Sequence, residues 1–481
     1  MAKFTGNKIK YITYLLKITT KYPVHLFFGF FAILLVVKYL LITNLNNDEF
    51  LLTYKFVSSD SYDWIANGIR LFDNDSISFR NPGLPLIIKG LNNLKALFLL
   101  PLLNQIVYLF TSFYLYKICR QYSTNLIAFL IPFVYLMNFT FNIGANIILA
   151  DFYAVFAITA SVYFILVKKY WLAFFALFIS LLFQNLAILL IPLWIGIVVL
   201  DGNRDFKNIL KRKNFGKIVR IAFLFVLSGL PFIFWAIYKY DKFGNPFYDS
   251  VGHLGLLNPN LDSVFFYSLN SVVLFSPIII PFGLYLLRKP REFFRNKTQL
   301  FFLVGLAINT VFWVVLYDWN DRRFLVYFIP WLYPLIAWYL GEIKLTYNYK
   351  IAIILLIFYP TILPTSSFFT ADEIPIIHNI YLKREDVNGM ALSKKTRPDF
   401  SNPLMNANPT MYHALVASKY YRFSNSTWYS FYSSYIDSHF NESENSICLD
   451  KEQNIRNYPV STILQIKKNI DMKKVKIYVC P

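Results

Sequence analysis

Apolar runs approaching the roughly 20 residues needed to cross a bilayer recur along this chain, and nothing constrains its fold more. A segment in lipid must satisfy its backbone hydrogen bonds internally, so runs such as "FFGFFAILLVVKYLL" and "LFFLVGLAINTVFWVVL" imply helices. The composition agrees: only 15% of residues are charged, against about a quarter in soluble proteins. We read an all-α polytopic membrane protein of about eleven spans. They cover roughly 23–43, 96–116, 124–142, 147–167, 170–183, 185–200, 219–238, 266–287, 299–317, 324–341 and 350–364. The fifth and sixth are short, and Gln184-Asn185 between them reads as a tight polar turn at the outer surface.

A net charge of +20 raises the question of nucleic acid. The basic residues, however, cluster at the ends of apolar runs and form no stripe. Lys and Arg concentrate in alternate loops, including the N-terminus, "RDFKNILKRKNFGK" (204–217) and "RKPREFFRNK" (288–297). Short basic loops stay cytoplasmic. The N-terminus is therefore expected inside, with no cleavable signal ahead of the first span. The long first loop, about 44–95, is then outside. An odd number of spans puts residues 365–481 outside as well.

That tail is polar and rich in Ser, Asn and Tyr, and it reads as a small extracytoplasmic α+β domain following a membrane module of residues 1–364. Of three cysteines, Cys448 and Cys480 fall in this oxidising compartment, where they can pair. No CxxC, HExxH, Walker or GxGxxG pattern is present, which removes the usual support for zinc-protease, haem and nucleotide readings.

Four stretches carry residues with chemical potential. In the first outer loop, "YDWIANGIRLF" (62–72) places Trp64, Ile65, Gly68, Ile69 and Phe72 on one helical face, suited to the membrane interface. Asp60 precedes it as an N-cap, with Asp63 as its capping-box partner, or as a functional acid. Arg80, in "RNPGLPL", anchors a lipid headgroup or faces an anionic substrate near Asp60. Asp151 lies at the outer end of the fourth span. An ionisable residue there is a functional candidate, its alternative being a partner for a neighbouring Arg or Asn.

Arg322 and Arg323, in "YDWNDRRFLVYFIPWLYPL", break the positive-inside pattern. They are lipid-phosphate anchors or bidentate ligands for a substrate phosphate. The loop "YKYDKFGNPFYDSVGHLG" (238–255) adds a lone histidine, His253.

Taken together, the first-loop acid with "Y..IA", then "R.PG.PL", the acid opening the fourth span, "FGNPF" (243–247) and "RRFLVYFIP" (322–330) form a recognisable constellation. It resembles the integral-membrane C-type (GT-C) glycosyltransferases, specifically bacterial relatives of protein O-mannosyltransferases and aminoarabinose transferases. The resemblance covers roughly residues 20–340. It implies a bacterial inner-membrane enzyme that takes a sugar from a polyprenyl-phosphate donor at the outer face. The sugar passes, with inversion, to a lipid, glycan or protein acceptor; no nucleic acid is involved.

By that resemblance Asp60 is the catalytic base and Asp151 the second acid. Arg323, with Arg322 and Arg80, holds the donor phosphate, and Tyr62 and His253 join the substrate contacts. Many relatives read Asp-Glu where Ser61 follows Asp60; Asp48-Glu49 supplies that dipeptide earlier, without "Y..IA" after it. Some relatives bind a divalent metal at the paired acids, and no metal ligands are assigned here. Two other readings stand beside this one: an O-antigen polymerase or ligase using polyprenyl-linked glycans, and a lipid or glycan flippase. The first is expected to place its long loop late, the second to show repeat symmetry and midplane charges.

Overall fold

The computed structural model describes residues 28–29, 31–33, 64, 68, 71–72, 81–96, 99–138, 141, 144–145, 148–202, 212–243, 261–290, 296–316, 322–343, 353, 356, 440–441, 443–449 and 476–480. Helices dominate them. In chain order these are α1 (Gly83–Asn93), α2 (Leu100–Cys119), α3 (Asn125–Met137), α4 (Asp151–Leu166) and α5 (Tyr170–Phe183). A 3-10 turn, Asn185–Leu190, leads into α6 (Ile191–Gly202). Then come α7 (Arg212–Phe243), α8 (Leu261–Phe275), α9 (Ile279–Arg288) and α10 (Lys297–Asn309). The last runs on as a π-helical segment, Thr310–Leu316, and a 3-10 segment, Arg322–Phe328, opens α11 (Ile329–Glu342).

Local sequence explains where several helices begin. Thr124 caps α3, its Oγ1 accepting from the Ile127 amide. Asn296 caps α10, its Oδ1 accepting from the amides of Thr298 and Gln299. Proline stands at the first positions of α2 and α11, where its missing N–H leaves nothing unpaired. Pro85 sits in the first turn of α1 for the same reason; α1 begins two residues before it.

Two segments of the described residues are long and apolar enough to cross a membrane, Lys297–Leu316 and Arg323–Glu342, matching the expected spans 299–317 and 324–341. They pack through glycine. A Cβ on Gly305 would stand 2.2 Å from Trp331 Cε3, so only glycine lets α10 approach α11 this closely. The expected span 266–287 is broken: α8 and α9 meet at a bend of 108°. Ser276, with φ 97°, turns the chain ahead of Pro277. Polar side chains repair the backbone at this elbow. Asn138 Nδ2 donates to the Leu274 carbonyl at 2.6 Å, Ser276 Oγ accepts from the Ile278 amide at 3.2 Å, and the same hydroxyl donates to the Leu356 carbonyl. Hydrocarbon tolerates non-helical backbone only where such partners exist.

Contacts sort the helix ends into two sets. Tyr153, near the start of α4, donates its hydroxyl to Asn104 Oδ1 at 2.6 Å, near the start of α2. Gly83 abuts Phe183, whose ring stacks on Tyr153 at 5.1 Å. At the other end, the Tyr122 ring meets Phe302 edge-on at 5.9 Å, and Gly341 packs beneath the Tyr122 carbonyl. Outward faces are apolar: Leu261, Phe265 and Leu269, one turn apart on α8, are 74%, 70% and 68% exposed. Such a stripe suits lipid as its solvent.

In the first loop, Trp64 and Gly68 are helical, and Trp64 and Leu71 are buried. Phe72 leaves the helix at φ 70° and is exposed, its ring meeting Tyr238 edge-on at 5.7 Å. The expected apolar stripe is thus corrected. Trp64, Gly68 and Leu71 face protein, and Phe72 is not part of their face.

Three strands are described near the C-terminus: β1 (Phe440–Asn441), β2 (Ser446–Leu449) and β3 (Lys476–Val479). β2 pairs antiparallel with β1 and parallel with β3. Cys448 and Cys480, whose pairing the sequence left open, form a disulfide with Cα atoms 4.8 Å apart.

Candidate functional site

Asp151 is the first residue of α4. There the unpaired amides and the helix dipole favour a carboxylate. It is 7% exposed, so its charge needs further partners. The Tyr327 hydroxyl supplies one, donating to Asp151 Oδ1 at 2.7 Å across 176 residues of sequence. Gln184 and Arg323 lie within electrostatic reach of that hydroxyl. The Gln184 break therefore does more than turn the chain: it brings an amide to the carboxylate end of α4.

Aromatic stacking holds Tyr327 in place. On the 3-10 segment, Phe324 and Tyr327 lie one turn apart and both stack on Trp313, at 4.0 and 5.2 Å with rings within 18° of parallel. Arg323 lays its guanidinium 5.1 Å from the Phe324 ring. A stacked guanidinium keeps its fork of donors at the edge of the aromatic plane, pre-organised for an anion.

Tyr327 also walls a narrow, partly open apolar cleft. Ile158, Leu190, Ile308, Asn309 and Phe312 are among its lining. Ile158 lies seven residues, or about 10 Å of helix, deeper than Asp151. One phenol thus has a carboxylate on one side and an apolar slot on the other.

At the same end, Asn81 is 4% exposed and its Oδ1 has no hydrogen-bond partner. Among the described residues no group of three or more His, Cys, Asp or Glu side chains stands ready to hold a metal. The described partner of Asp151 is a phenol, which has an amide and a guanidinium within its own reach. That donor set suits an anionic ligand better than a divalent cation, so no step below runs through a metal.

Of the expected site residues, Asp151 and Arg323 are brought together through Tyr327. The Arg322 backbone opens the same 3-10 segment. Asp60, Tyr62, Arg80 and His253 lie outside the described residues. Sequence reading missed Tyr327, Gln184, Asn81 and Asn104. Tyr327 lies inside the motif quoted for its arginines, yet with 35 tyrosines in the chain nothing marked this one.

The chain shares its fold with the crystal structure of ArnT from Cupriavidus metallidurans bound to undecaprenyl phosphate, a GT-C aminoarabinose transferase. The match has a TM-score of 0.51 and covers 81% of this chain and 69% of that one, at 14% identity. At that identity the likeness is one of fold. No protein-family signature and no curated protein matches the sequence.

Proposed function

We propose that this protein is a membrane glycosyltransferase that moves a sugar from a polyprenyl-phosphate donor to an acceptor at the outer face of a bacterial plasma membrane. The observation that carries the reading is the buried Asp151–Tyr327 pair, set between the Arg322–Arg323 segment and an apolar cleft. A phosphate-linked prenyl sugar has matching parts: an anion, a reactive anomeric carbon and a long apolar chain. That the ArnT structure with this fold binds undecaprenyl phosphate supports the assignment.

In the proposed reaction the acceptor hydroxyl attacks the anomeric carbon from the face opposite the phosphate. Asp60 takes the hydroxyl proton as general base. The bond from the anomeric carbon to the phosphate oxygen breaks, its electron pair leaving with the polyprenyl phosphate, and the configuration inverts. Arg323, with Arg322 and Arg80, stabilises the charge growing on that phosphate. Asp151 and Tyr327 orient the sugar between them, and Tyr62 and His253 complete the substrate contacts. The prenyl chain runs into the cleft beside Phe312.

The same reading takes eleven spans within residues 1–364, a cytoplasmic N-terminus and an extracytoplasmic domain over 365–481, whose disulfide fits an oxidising compartment. A transfer assay in membranes, with polyprenyl-phosphate sugars and wild type set against Asp60→Asn, tests it. Loss of a positioned general base is expected to slow transfer by about 100-fold or more. Unchanged transfer by folded Asp60→Asn removes that residue as the base.

A further inference from the structure

The cleft beside Tyr327 has room, as it stands, for about one water molecule. A single isoprene unit fills several times that space, so a prenyl chain enters only if a wall moves. Part of the lining is fixed: Ile158 of α4 and Ala187 and Leu190 of the 3-10 turn are buried in the core. The remaining wall is different. Phe312 and Trp313 belong to Thr310–Leu316, the one π-helical stretch among the described residues. Such turns are rare and recur at functional sites. A π turn holds one residue more than the α register, and an α-helix turns about 100° per residue. Return of this stretch to the α register therefore swings Phe312 and Trp313 away from the cleft.

The helix is built to change at this point and not before it. Gly305, one turn earlier, lies against Trp331 with no room for a Cβ, which fixes α10 on α11. At the junction, Asn309 Nδ2 donates to the Gly305 carbonyl and Thr310 Oγ1 to the Leu306 carbonyl, each at 2.9 Å. Both carbonyls keep a donor whichever register the backbone beyond them takes, as hydrocarbon surroundings demand. Trp313 is the latch, its indole lying nearly parallel to the rings of Phe324 and Tyr327. We infer that Thr310–Leu316 is a gate, closed in its π register and open in an α register, that admits an isoprenoid chain to the cleft. The nature of the chain rests on the prenyl-donor reading above; the gate itself rests on the helix. Opening takes Trp313 off Tyr327, so chain entry is coupled to the phenol that holds Asp151.

The test follows the full chain, labelled with fluorotryptophan in phosphatidylcholine nanodiscs, by fluorine NMR. The Trp313 signal is the one that Trp313→Phe lacks. Farnesol, farnesyl phosphate and inorganic phosphate are titrated in turn. Both farnesyl compounds are expected to deplete the stacked Trp313 signal and raise a second one, and inorganic phosphate to change neither. Deletion of Val311, an exposed residue of the π stretch, removes its extra residue and should give the second signal without ligand. The deletion should also bind farnesol about tenfold more tightly than wild type, since a competent state populated at roughly 10% weakens apparent affinity by that factor. A Trp313 signal that neither farnesyl compound moves overturns the gate, as does a response to inorganic phosphate alone. Equal farnesol affinity in wild type and the folded deletion overturns it too; should the deletion not fold, the wild-type titration decides. Movement of Trp313 in a protein that transfers no sugar supports the gate and counts only against the transferase reading. Transfer with an unmoved Trp313 overturns the gate alone.

Discussion

Tyr327 lets the structural and chemical parts of the site be separated. Its hydroxyl donates to a buried carboxylate, and hydrogen bonds to charged groups contribute about 1.5–3 kcal/mol. Tyr327→Phe should therefore lower stability by about that amount in a detergent thermal-unfolding assay. Asp151→Asn keeps an acceptor for the phenol and removes the charge. It should unfold close to wild type, within about 1 kcal/mol. The acid was legible in the sequence because a charge beside apolar residues stands out. Its partner was not, because a tyrosine among many aromatics carries no mark until the fold brings it across from a distant helix.

Among the elements, the α10–α11 pair and the α8–α9 elbow make the clearest demands. Gly305→Val would drive a side chain into Trp331, and overpacking of this kind costs about 1–3 kcal/mol or more. Reduced yield of folded protein on gel filtration, with Gly305→Ala intermediate, is the expected result. At the elbow, Asn138→Ala would strand the Leu274 carbonyl in an apolar setting, a loss of about 1–3 kcal/mol by thermal unfolding. Spans 299–317 and 324–341 were readable because length and hydropathy suffice for a straight helix. The break inside 266–287 was not, although Ser276-Pro277 lay in view. Proline within a span only bends or breaks a helix when nearby groups replace the lost bonds, and those groups, Asn138 and Leu356, are remote in sequence.

For the whole molecule, alternation of charge predicts which helix ends share a side of the membrane, since loops inserted on one side must stay on it. It does not say which side chains meet on that side, so the contact of Asp151 with Tyr327 was not legible. The same topology predicts the chemistry of the tail. Cys119 is buried and Cys448 is joined to Cys480, so a membrane-impermeant maleimide should label intact cells only after a reductant is added. Labelling without reduction would contradict the disulfide, and none after reduction would contradict an outer tail.

The central claim, that the buried acid at the head of α4 belongs to a sugar-transfer site, is tested most directly by one rate. Purified wild type and Asp151→Asn, both in liposomes with a radiolabelled polyprenyl-phosphate sugar, are compared for initial transfer to acceptor. The account predicts transfer by wild type and a fall of about 100-fold or more in the variant at matched folding, the loss typical of a charge preorganised at a reacting centre. Equal rates in the two proteins would contradict it.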